Sequence, residues 1–168
     1  FAEALAKSCG AEYFVQDGFG VVHRAHASTV GVTHFLPSSA GLLLEKEYMM
    51  ITSAMANPQK PFTAILGGAK ISDKIDVIER FITIADQIVI GGAMANTFLK
   101  YRGYKIGKSI HEDGLEDIMR RIYVAAEKKT DNVDEFIILP VDVAVATAIK
   151  PSARRTVVAV SDVADNEY

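Results

Sequence analysis

One arrangement occurs twice in residues 61–100, "PFTAILGGAKISDKIDVIERFITIADQIVIGGAMANTFLK": a short apolar run, then two glycines, then a segment with helical spacing. The apolar runs are FTAIL (62–66) and QIVI (87–90), and short uninterrupted runs of this kind favour strands buried on both faces, as in parallel sheets. KISDKIDVIERFITIA (70–85) predicts a helix after the first glycine pair, and a shorter helix after the second is expected to end at Gly103. This alternation predicts right-handed βαβ units and an α/β fold.

The sequence downstream extends the same pattern. HEDGLEDIMRRIYVAAEKKT (111–130) predicts a third helix. EFIILPVDVAVA (135–146) and RTVVAVSD (155–162) predict two further strands, with Pro140 ending the first of these. We therefore expect residues 58–168 to form the first half of a doubly wound domain, in which ligands bind beyond the carboxyl ends of the strands. Both glycine pairs lie at such ends.

The sequence upstream has a different organisation, and we expect residues 1–40 to belong to another domain. A helix over residues 1–9 precedes a strand in EYFVQD (12–17). GLLLEKEYMMITSAMAN (41–57) predicts one uninterrupted helix that ends before Pro58, and we expect this helix to connect the two domains.

Composition restricts the classes of function. The chain has 168 residues, 49% of them hydrophobic, and a net charge of −3 with scattered Lys and Arg, so we expect no nucleic-acid partner. No apolar run reaches the ~18 residues that span a membrane, and no signal peptide is visible. The single Cys9 excludes an internal disulfide and fits a reducing compartment, so we expect a cytoplasmic protein. The first residues open within an amphipathic helix, and we therefore expect the chain to be an internal piece of a longer protein.

The first glycine pair is followed by Ala69, Lys70 and a second lysine, Lys74, which together form the most informative chemical pattern in the chain. Glycine lets backbone N–H groups approach a ligand closely, and a following helix adds partial positive charge. Lys70 and Lys74 are four residues apart and are expected to project from one face of the first helical turns, where they suit a polyphosphate. Asp73 lies between them and is expected to tether a lysine or to approach a metal-bound phosphate. The alternative is a tight turn with a solvated lysine pair, because the pattern is not a Walker A loop.

A second cationic cluster, His23-Arg24-Ala25-His26, lies in a glycine-flanked loop. The Arg24 guanidinium offers a planar set of donors that suits phosphate or carboxylate, and we expect it to bind a ligand. One alternative is a metal site, but no carboxylate or thiol lies at a recognisable metal spacing nearby. The other is a structural cluster with histidines hydrogen-bonded inside the fold, and this is the interpretation that we favour for His26.

Six segments occur in order along the chain: QDGFGVVHRAHASTVGV, FLPSSAGLLLEKE, PFTAILGGAKISDKIDVIE, IVIGGAMANTFLK, IGKSI and LPVDVAVA. Together they resemble phosphoglycerate kinase over essentially the whole length. The resemblance implies two Rossmann-like, three-layer parallel-sheet domains joined by a long interdomain helix. It also implies phosphoryl transfer between 1,3-bisphosphoglycerate and ADP, giving 3-phosphoglycerate and ATP, by a cytoplasmic monomer that works with Mg²⁺.

The resemblance assigns roles to individual positions. Arg24 matches the family's substrate-binding arginine, with His23 beside it, and Lys74 matches the lysine that contacts the nucleotide phosphates and the transferring group. Arg24 and Lys74 are therefore the expected catalytic residues. The remaining nucleotide-binding matches comprise the rest of the lysine turn and the wall against the adenine: Gly68, Ala69, Lys70, Asp73, Gly92 and Ala93. No metal-ligating residue is implied in this chain.

Two departures and several alternatives remain. The family commonly has Asn-Asp-Ala-Phe-Gly where this chain has Gln16-Asp17-Gly18-Phe19-Gly20, and often a third glycine where it has Ala93. Because the family's other substrate-binding arginines and its later glycine-rich loop are not in this chain, we expect the 168 residues alone to be inactive. The alternatives are a non-catalytic nucleotide-binding module, a NAD-binding fragment and a structural fragment without a ligand. The NAD alternative is disfavoured because neither turn is G-x-G-x-x-G.

Overall fold

The computed structural model describes residues 1–168, which divide into two compact units, Phe1–Pro58 and Gln59–Tyr168. Both units combine helices with parallel strand pairs, and this confirms the predicted α/β class. None of the helices combines the length and the apolar composition that crossing a lipid bilayer requires.

The first unit contains a parallel strand pair and one long helix. Its helices and strands are, in chain order, α1 (Ala2–Ser8), β1 (Phe14–Gln16), β2 (Ser38–Ala40) and α2 (Leu42–Ala56). β1 and β2 pair in parallel, with Phe14 opposite Ser38. The predicted long helix is confirmed as α2, which begins after Gly41 in extended backbone and ends at Ala56, followed by the C-cap residue Asn57 and then Pro58.

The second unit contains a three-stranded parallel sheet and the helices that follow its strands. Its helices and strands are, in chain order, β3 (Thr63–Leu66), α3 (Ile75–Ile84), β4 (Gln87–Ile90), α4 (Gly92–Tyr101), α5 (Glu116–Glu127), α6 (Val133–Phe136), β5 (Ile137–Ile138), β6 (Asp142–Val145) and β7 (Thr156–Ala159). β4 lies between β3 and β5, with Ala64 opposite Ile88 and Val89 opposite Ile138. The carboxyl ends of β3 and β4, with their glycine pairs, therefore lie side by side.

One hydrophobic core joins the sheet to its helices. Fully buried side chains from α3, α4 and α5 pack with strand residues in a single cluster that includes Ile78, Ile88, Ile90, Met94, Phe98, Met119 and Ile122. β3 is covered on one face only, because Ala64 and Leu66 are buried whereas Ile65 between them exposes 78% of its surface. The expectation of burial on both faces was therefore wrong for this strand, since no helix of the second unit covers the face that carries Ile65.

Two predicted helices begin later than expected. The segment expected to be helical from residue 70 opens with a 3₁₀ turn, Ser72–Lys74, and α3 begins only at Ile75. The segment expected to be helical from residue 111 becomes α5 at Glu116, because Gly114 adopts a φ of +73° that no right-handed helix accommodates. The helices after the two glycine pairs thus begin differently: a 3₁₀ turn precedes α3, whereas α4 begins directly after β4.

The last two strands form a separate antiparallel pair. The segment 135–146, predicted as one strand ended by Pro140, contains two strands, β5 and β6, and the strand predicted in 155–162 is confirmed as β7. β6 and β7 pair with each other, Val145 opposite Thr156, and not with the parallel sheet. Their expected place in the sheet was wrong for a geometric reason. A parallel neighbour needs a crossover of about a dozen residues or more, whereas the connection 146–155 is short enough for a hairpin. Pro140, which has no N–H for a ladder, separates β5 from β6.

Two lysines satisfy the carboxyl end of α3. Lys129 Nζ donates to the carbonyl of Ile82 at 2.7 Å, and Lys60 Nζ donates to the carbonyl of Ile84 at 2.9 Å. Positive charge is favourable at this end of a helix. Burial lowers the pKa of Lys129, and the nearby ammonium of Lys60 lowers it further. α3 is therefore held at the end remote from the glycine turns.

Candidate functional site

The two glycine turns contact each other through their backbones. The amide of Gly91 donates to the carbonyl of Leu66 at 2.8 Å, and the amide of Met94 donates to the carbonyl of Gly68 at 2.8 Å. Gly92 has a φ of +65°, and a Cβ added there would lie 3.0 Å from both the amide nitrogen and the carbonyl oxygen of Gly68. Only glycine fits this approach, so the peptide groups that follow β3 and β4 form one continuous surface.

The lysine turn, residues 67–74, places one ammonium group beside its own glycines. A Cβ added at Gly68, which has a φ of +129°, would lie 3.3 Å from Lys74 Nζ. Lys74 is half-buried and Lys70 is exposed, and neither forms an ion pair in the chain. The ammonium of Lys74 therefore lies at the glycine turn with its charge uncompensated by a neighbouring carboxylate.

Two details of this turn differ from the sequence-based expectation. Lys70 precedes the 3₁₀ turn and is separated from it by the fully buried Ile71. The two lysines therefore do not project from consecutive turns of one helix. Asp73 is exposed and forms no ion pair with either lysine, so the expected tether was wrong. Its carboxylate faces solvent beside the turn.

Glu112 completes the lysine turn, and it was not among the residues predicted from the sequence. Its Oε1 accepts a hydrogen bond from Ser72 Oγ at 2.6 Å, and its Oε2 accepts from the Ser72 amide at 3.2 Å and from the Ile71 amide. Burial raises the pKa of Glu112, but these hydrogen bonds and the charge of Lys70 outweigh that effect and hold the pKa below its ordinary value. Nothing in the sequence distinguishes this carboxylate from its neighbours Asp113 and Glu116.

Cavities lie next to the second glycine turn. One, of about 680 Å³, is lined by half-buried Ala93 together with apolar Ile110 and Ile149 and the cations Lys150 and Arg155. A second, of about 320 Å³, is lined by residues that include Gly92. The first turn of α4 therefore borders space with apolar walls and nearby positive charge, which are the properties of a site for a flat base with an anionic group.

The arginine turn, residues 21–31 of the first unit, is held by its backbone. The carbonyl of Arg24 accepts from the amide of His26 at 2.9 Å and from the hydroxyl of Thr29. The side chains of His23 and Arg24 are exposed and form no ion pair or hydrogen bond within the chain. The ring of His26 is also exposed and makes no such bond, so the expectation that it is hydrogen-bonded inside the fold was wrong: main-chain groups hold the turn.

Asp17, at the start of the same loop, caps α2 from a distance in sequence. Its Oδ1 accepts hydrogen bonds from the amides of Leu43 at 2.7 Å and Leu44 at 2.9 Å, which are free donors at a helix start. A Cβ at Gly41 would lie 2.4 Å from Asp17, so glycine is required there. This capping role of Asp17 was not predicted from the sequence, in which the residue is only part of a loop motif.

The structure contains no cluster of three or more His, Cys, Asp or Glu side chains that could hold a metal ion. A single exposed carboxylate beside two lysines, Asp73, fits a Mg²⁺ ion that is carried mainly by phosphate oxygens and water. It does not fit a metal held by the protein alone.

Comparison with known proteins identifies the family. The family model described as Phosphoglycerate kinase matches residues 1–168. The phosphoglycerate kinase of Moorella thermoacetica is 48% identical over 98% of this chain and 40% of its own length, and that of Chloroflexus aurantiacus is 47% identical over 90% and 37%.

Solved structures agree with the sequence comparison. Phosphoglycerate kinase from Coxiella burnetii superimposes with a TM-score of 0.73 at 40% identity, covering 99% of this chain and 41% of that one. The enzyme from Pyrococcus horikoshii gives a TM-score of 0.66 at 28% identity, covering 95% and 39%. The chain thus spans about 40% of the length of the relatives that it matches. Because the family model matches every residue from 1 to 168, the chain belongs to the phosphoglycerate kinase family.

Proposed function

We propose that this chain supplies part of an enzyme that transfers a phosphoryl group between 1,3-bisphosphoglycerate and ADP, giving 3-phosphoglycerate and ATP, in glycolysis and gluconeogenesis. The observation that carries the proposal is the Lys74 ammonium, half-buried beside Gly68 and without a carboxylate partner. Phosphoryl transfer depends on positioning and charge stabilisation more than on covalent chemistry by the protein. An uncompensated ammonium at a glycine turn serves both needs.

The nucleotide is proposed to bind along the two glycine turns. Lys74 contacts the nucleotide phosphates and the transferring group, and Gly92 and Ala93 form the wall against the adenine, next to the cavities that border α4. The other residues assigned to the nucleotide phosphates belong to the lysine turn: Gly68, Ala69, Lys70 and Asp73. Mg²⁺ bound to the phosphates neutralises part of their charge, and the exposed carboxylate of Asp73 is the group of this chain best suited to meet it.

The glycerate substrate is proposed to bind at the arginine turn. The guanidinium of Arg24 offers a planar pair of donors to a phosphate or carboxylate group, and the neighbouring ring of His23 adds a further hydrogen bond. Both side chains are exposed and unpaired within the chain, which supports a role toward an external anion. Arg24 and Lys74 are then the catalytic residues that this chain contributes.

The proposed organisation follows the resemblance. Residues 1–40 belong to the substrate domain, residues 41–57 form the interdomain helix and residues 58–168 form the first half of the nucleotide domain. Closure about the helix excludes water from the reacting acyl phosphate and so limits its hydrolysis. We propose that the enzyme is a cytoplasmic monomer with no nucleic-acid or membrane partner.

The test uses the full-length protein, meaning this chain together with the sequence that completes it to the length of its relatives. We expect ATP consumption that depends on 3-phosphoglycerate, measured by coupled ADP release. A protein that binds ADP but shows no such consumption would instead be a nucleotide-binding module without catalysis, and the proposal would be rejected.

The 168-residue chain alone is proposed to lack activity, because it carries one substrate arginine and part of a nucleotide site. The same coupled assay on the purified chain is expected to give no rate above the protein-free background. Robust turnover by the chain would contradict this expectation while leaving the family reaction intact.

A further inference from the structure

The carboxylate of Glu112 takes up the hydrogen-bond donors that a ligand would otherwise find at the start of the turn before α3. The first N–H groups of a helical segment have no partner within it and attract anions. Here the amides of Ile71 and Ser72 both donate to Glu112, and the Ser72 hydroxyl does so as well. These two amides are therefore not free for phosphate oxygens. The amides of residues 68–70, one step earlier, donate to no acceptor in the chain.

Glu112 is itself fixed to the sheet's second helix. Its amide donates to Thr97 Oγ1 at 3.0 Å, and Thr97 is a buried polar residue of α4 with 4% of its surface exposed. Glu112 thus connects α4 to the lysine turn. α4 follows the second glycine pair, and the lysine turn contains the first. Its main chain contacts α4 and its side chain contacts Ile71 and Ser72.

The position of both lysines depends on the residues that Glu112 holds. Lys70 directly precedes Ile71 in the chain, and the amide of Lys74 donates to the carbonyl of Ile71 at 2.8 Å. Ile71 is fully buried, so its side chain and its amide are both anchored. A shift of Ile71 would move Lys70 through the chain and Lys74 through this hydrogen bond.

We propose that Glu112 is a positioning residue for the phosphoryl-transfer reaction, which holds the lysine turn so that Lys74 Nζ stays beside Gly68. This inference rests on the proposed function. It also assigns the nucleotide phosphates to the lysine ammonium groups and the amides of residues 68–70, and not to the helix start.

Charge and geometry predict opposite effects for the removal of Glu112. A carboxylate near a phosphate site repels the ligand, so a purely electrostatic role means that its removal tightens nucleotide binding. A positioning role means that its removal weakens the reaction, because the turn is no longer held. The sign of the change therefore separates the two.

Three substitutions of Glu112 in the full-length enzyme separate the effect of its hydrogen bonds to Ile71 and Ser72 from the effect of its charge. Glu112→Ala removes the acceptor, and Glu112→Asp keeps the charge but is one methylene too short to bond Ile71 and Ser72 together. Glu112→Gln loses the charge but keeps an oxygen that accepts from the two amides, and its new N–H group can donate to the hydroxyl oxygen of Ser72. We expect kcat/KM for MgADP to fall at least about tenfold in the first two and less than about threefold in the third. Glu116→Ala, an exposed carboxylate that makes no contact with the turn, is the matched control and is expected to leave the rate unchanged.

Amide hydrogen exchange gives an independent readout. Exchange at Ile71 and Ser72 is expected to accelerate at least about tenfold in Glu112→Ala and to stay as in wild type in Glu116→Ala. If Glu112→Ala does not fold, the comparison of the Asp and Gln variants decides the question, with thermal melts confirming that both are folded.

Two kinetic results would overturn the proposal. One is an unchanged or increased kcat/KM in Glu112→Ala. The other is a loss of kcat/KM in Glu112→Gln as large as in Glu112→Ala while Glu112→Asp retains full activity. The charge of Glu112, and not its hydrogen bonds to the turn, would then determine the rate. These results are distinguishable from a failure of the proposed function, in which the wild-type protein itself would show no turnover dependent on 3-phosphoglycerate.

Discussion

Substituting Gly92 with alanine tests whether the two glycine turns pack as tightly as described. Gly92 has a φ of +65°, and its added Cβ would meet the amide nitrogen and carbonyl oxygen of Gly68 at 3.0 Å. A left-handed backbone costs an alanine about 1–2 kcal/mol. Forcing a packed backbone apart costs a further ~1–3 kcal/mol. We therefore expect Gly92→Ala to lower the free energy of unfolding by about 2–5 kcal/mol.

Gly114→Ala is the matched control for this substitution. Gly114 also has a left-handed backbone, with a φ of +73°, but an added Cβ there meets nothing within 4 Å. Its expected cost is the conformational part alone, about 1–2 kcal/mol. The difference between the two variants, about 1–3 kcal/mol, then measures the contact with Gly68.

The assay is chemical denaturation of the full-length protein, with the midpoint and slope of the transition that involves the second unit followed for both variants. A change in midpoint at constant slope reports a change in stability. If Gly92→Ala and Gly114→Ala lower the free energy of unfolding equally, the backbone of Gly68 moves aside with no loss of stability. The two turns are then not packed into one continuous surface.

Other substitutions test the remaining parts of the structure. Lys74→Ala is expected to lower turnover at least about tenfold, equivalent to ~1.4 kcal/mol of barrier, and unchanged turnover in steady-state assays would remove the ammonium from the mechanism. Arg24→Ala is expected chiefly to raise the KM for 3-phosphoglycerate, and an unaltered KM would count against a substrate role. Asp17→Ala removes the cap of α2 and is expected to cost about 1 kcal/mol of unfolding free energy in denaturation experiments, a value that a loss near zero would contradict. The pKa of Glu112 lies below its ordinary value, so its charged form stabilises the fold above about pH 4.3 and this contribution is lost as the pH falls further. The denaturation midpoints of wild type and Glu112→Gln are therefore expected to converge on acidification, and a gap that widens would contradict the assigned contacts.

The features that the sequence could predict are those set by neighbours in the chain. The run QIVI predicts β4 at residues 87–90, and the structure has a strand at these residues, because an apolar run that meets two glycines defines both strand and end locally. The helix that begins after Gly41 and ends before Pro58 was predicted for the same reason. The position of both glycine pairs at the carboxyl ends of their strands was also predicted, because each pair directly follows an apolar run.

The features that could not be predicted depend on contacts between distant positions. Glu112 reaches Ile71 across 41 residues, and Asp17 reaches Leu43 across 26. The chain has 21 acidic residues, and no local pattern marks which of them accept hydrogen bonds from a helix start. The exposed face at Ile65 was mispredicted for a related reason, because the apolar run does not reveal whether another element covers each side.

The cap that Asp17 places on α2 limits how this protein can be dissected. A peptide that begins at Gly41 would carry the whole helical sequence but would leave the amides of Leu43 and Leu44 without their acceptor. The shortest excised segment that retains the cap begins at or before residue 17, so the helix and the loop that leads to Arg24 must be expressed as one piece.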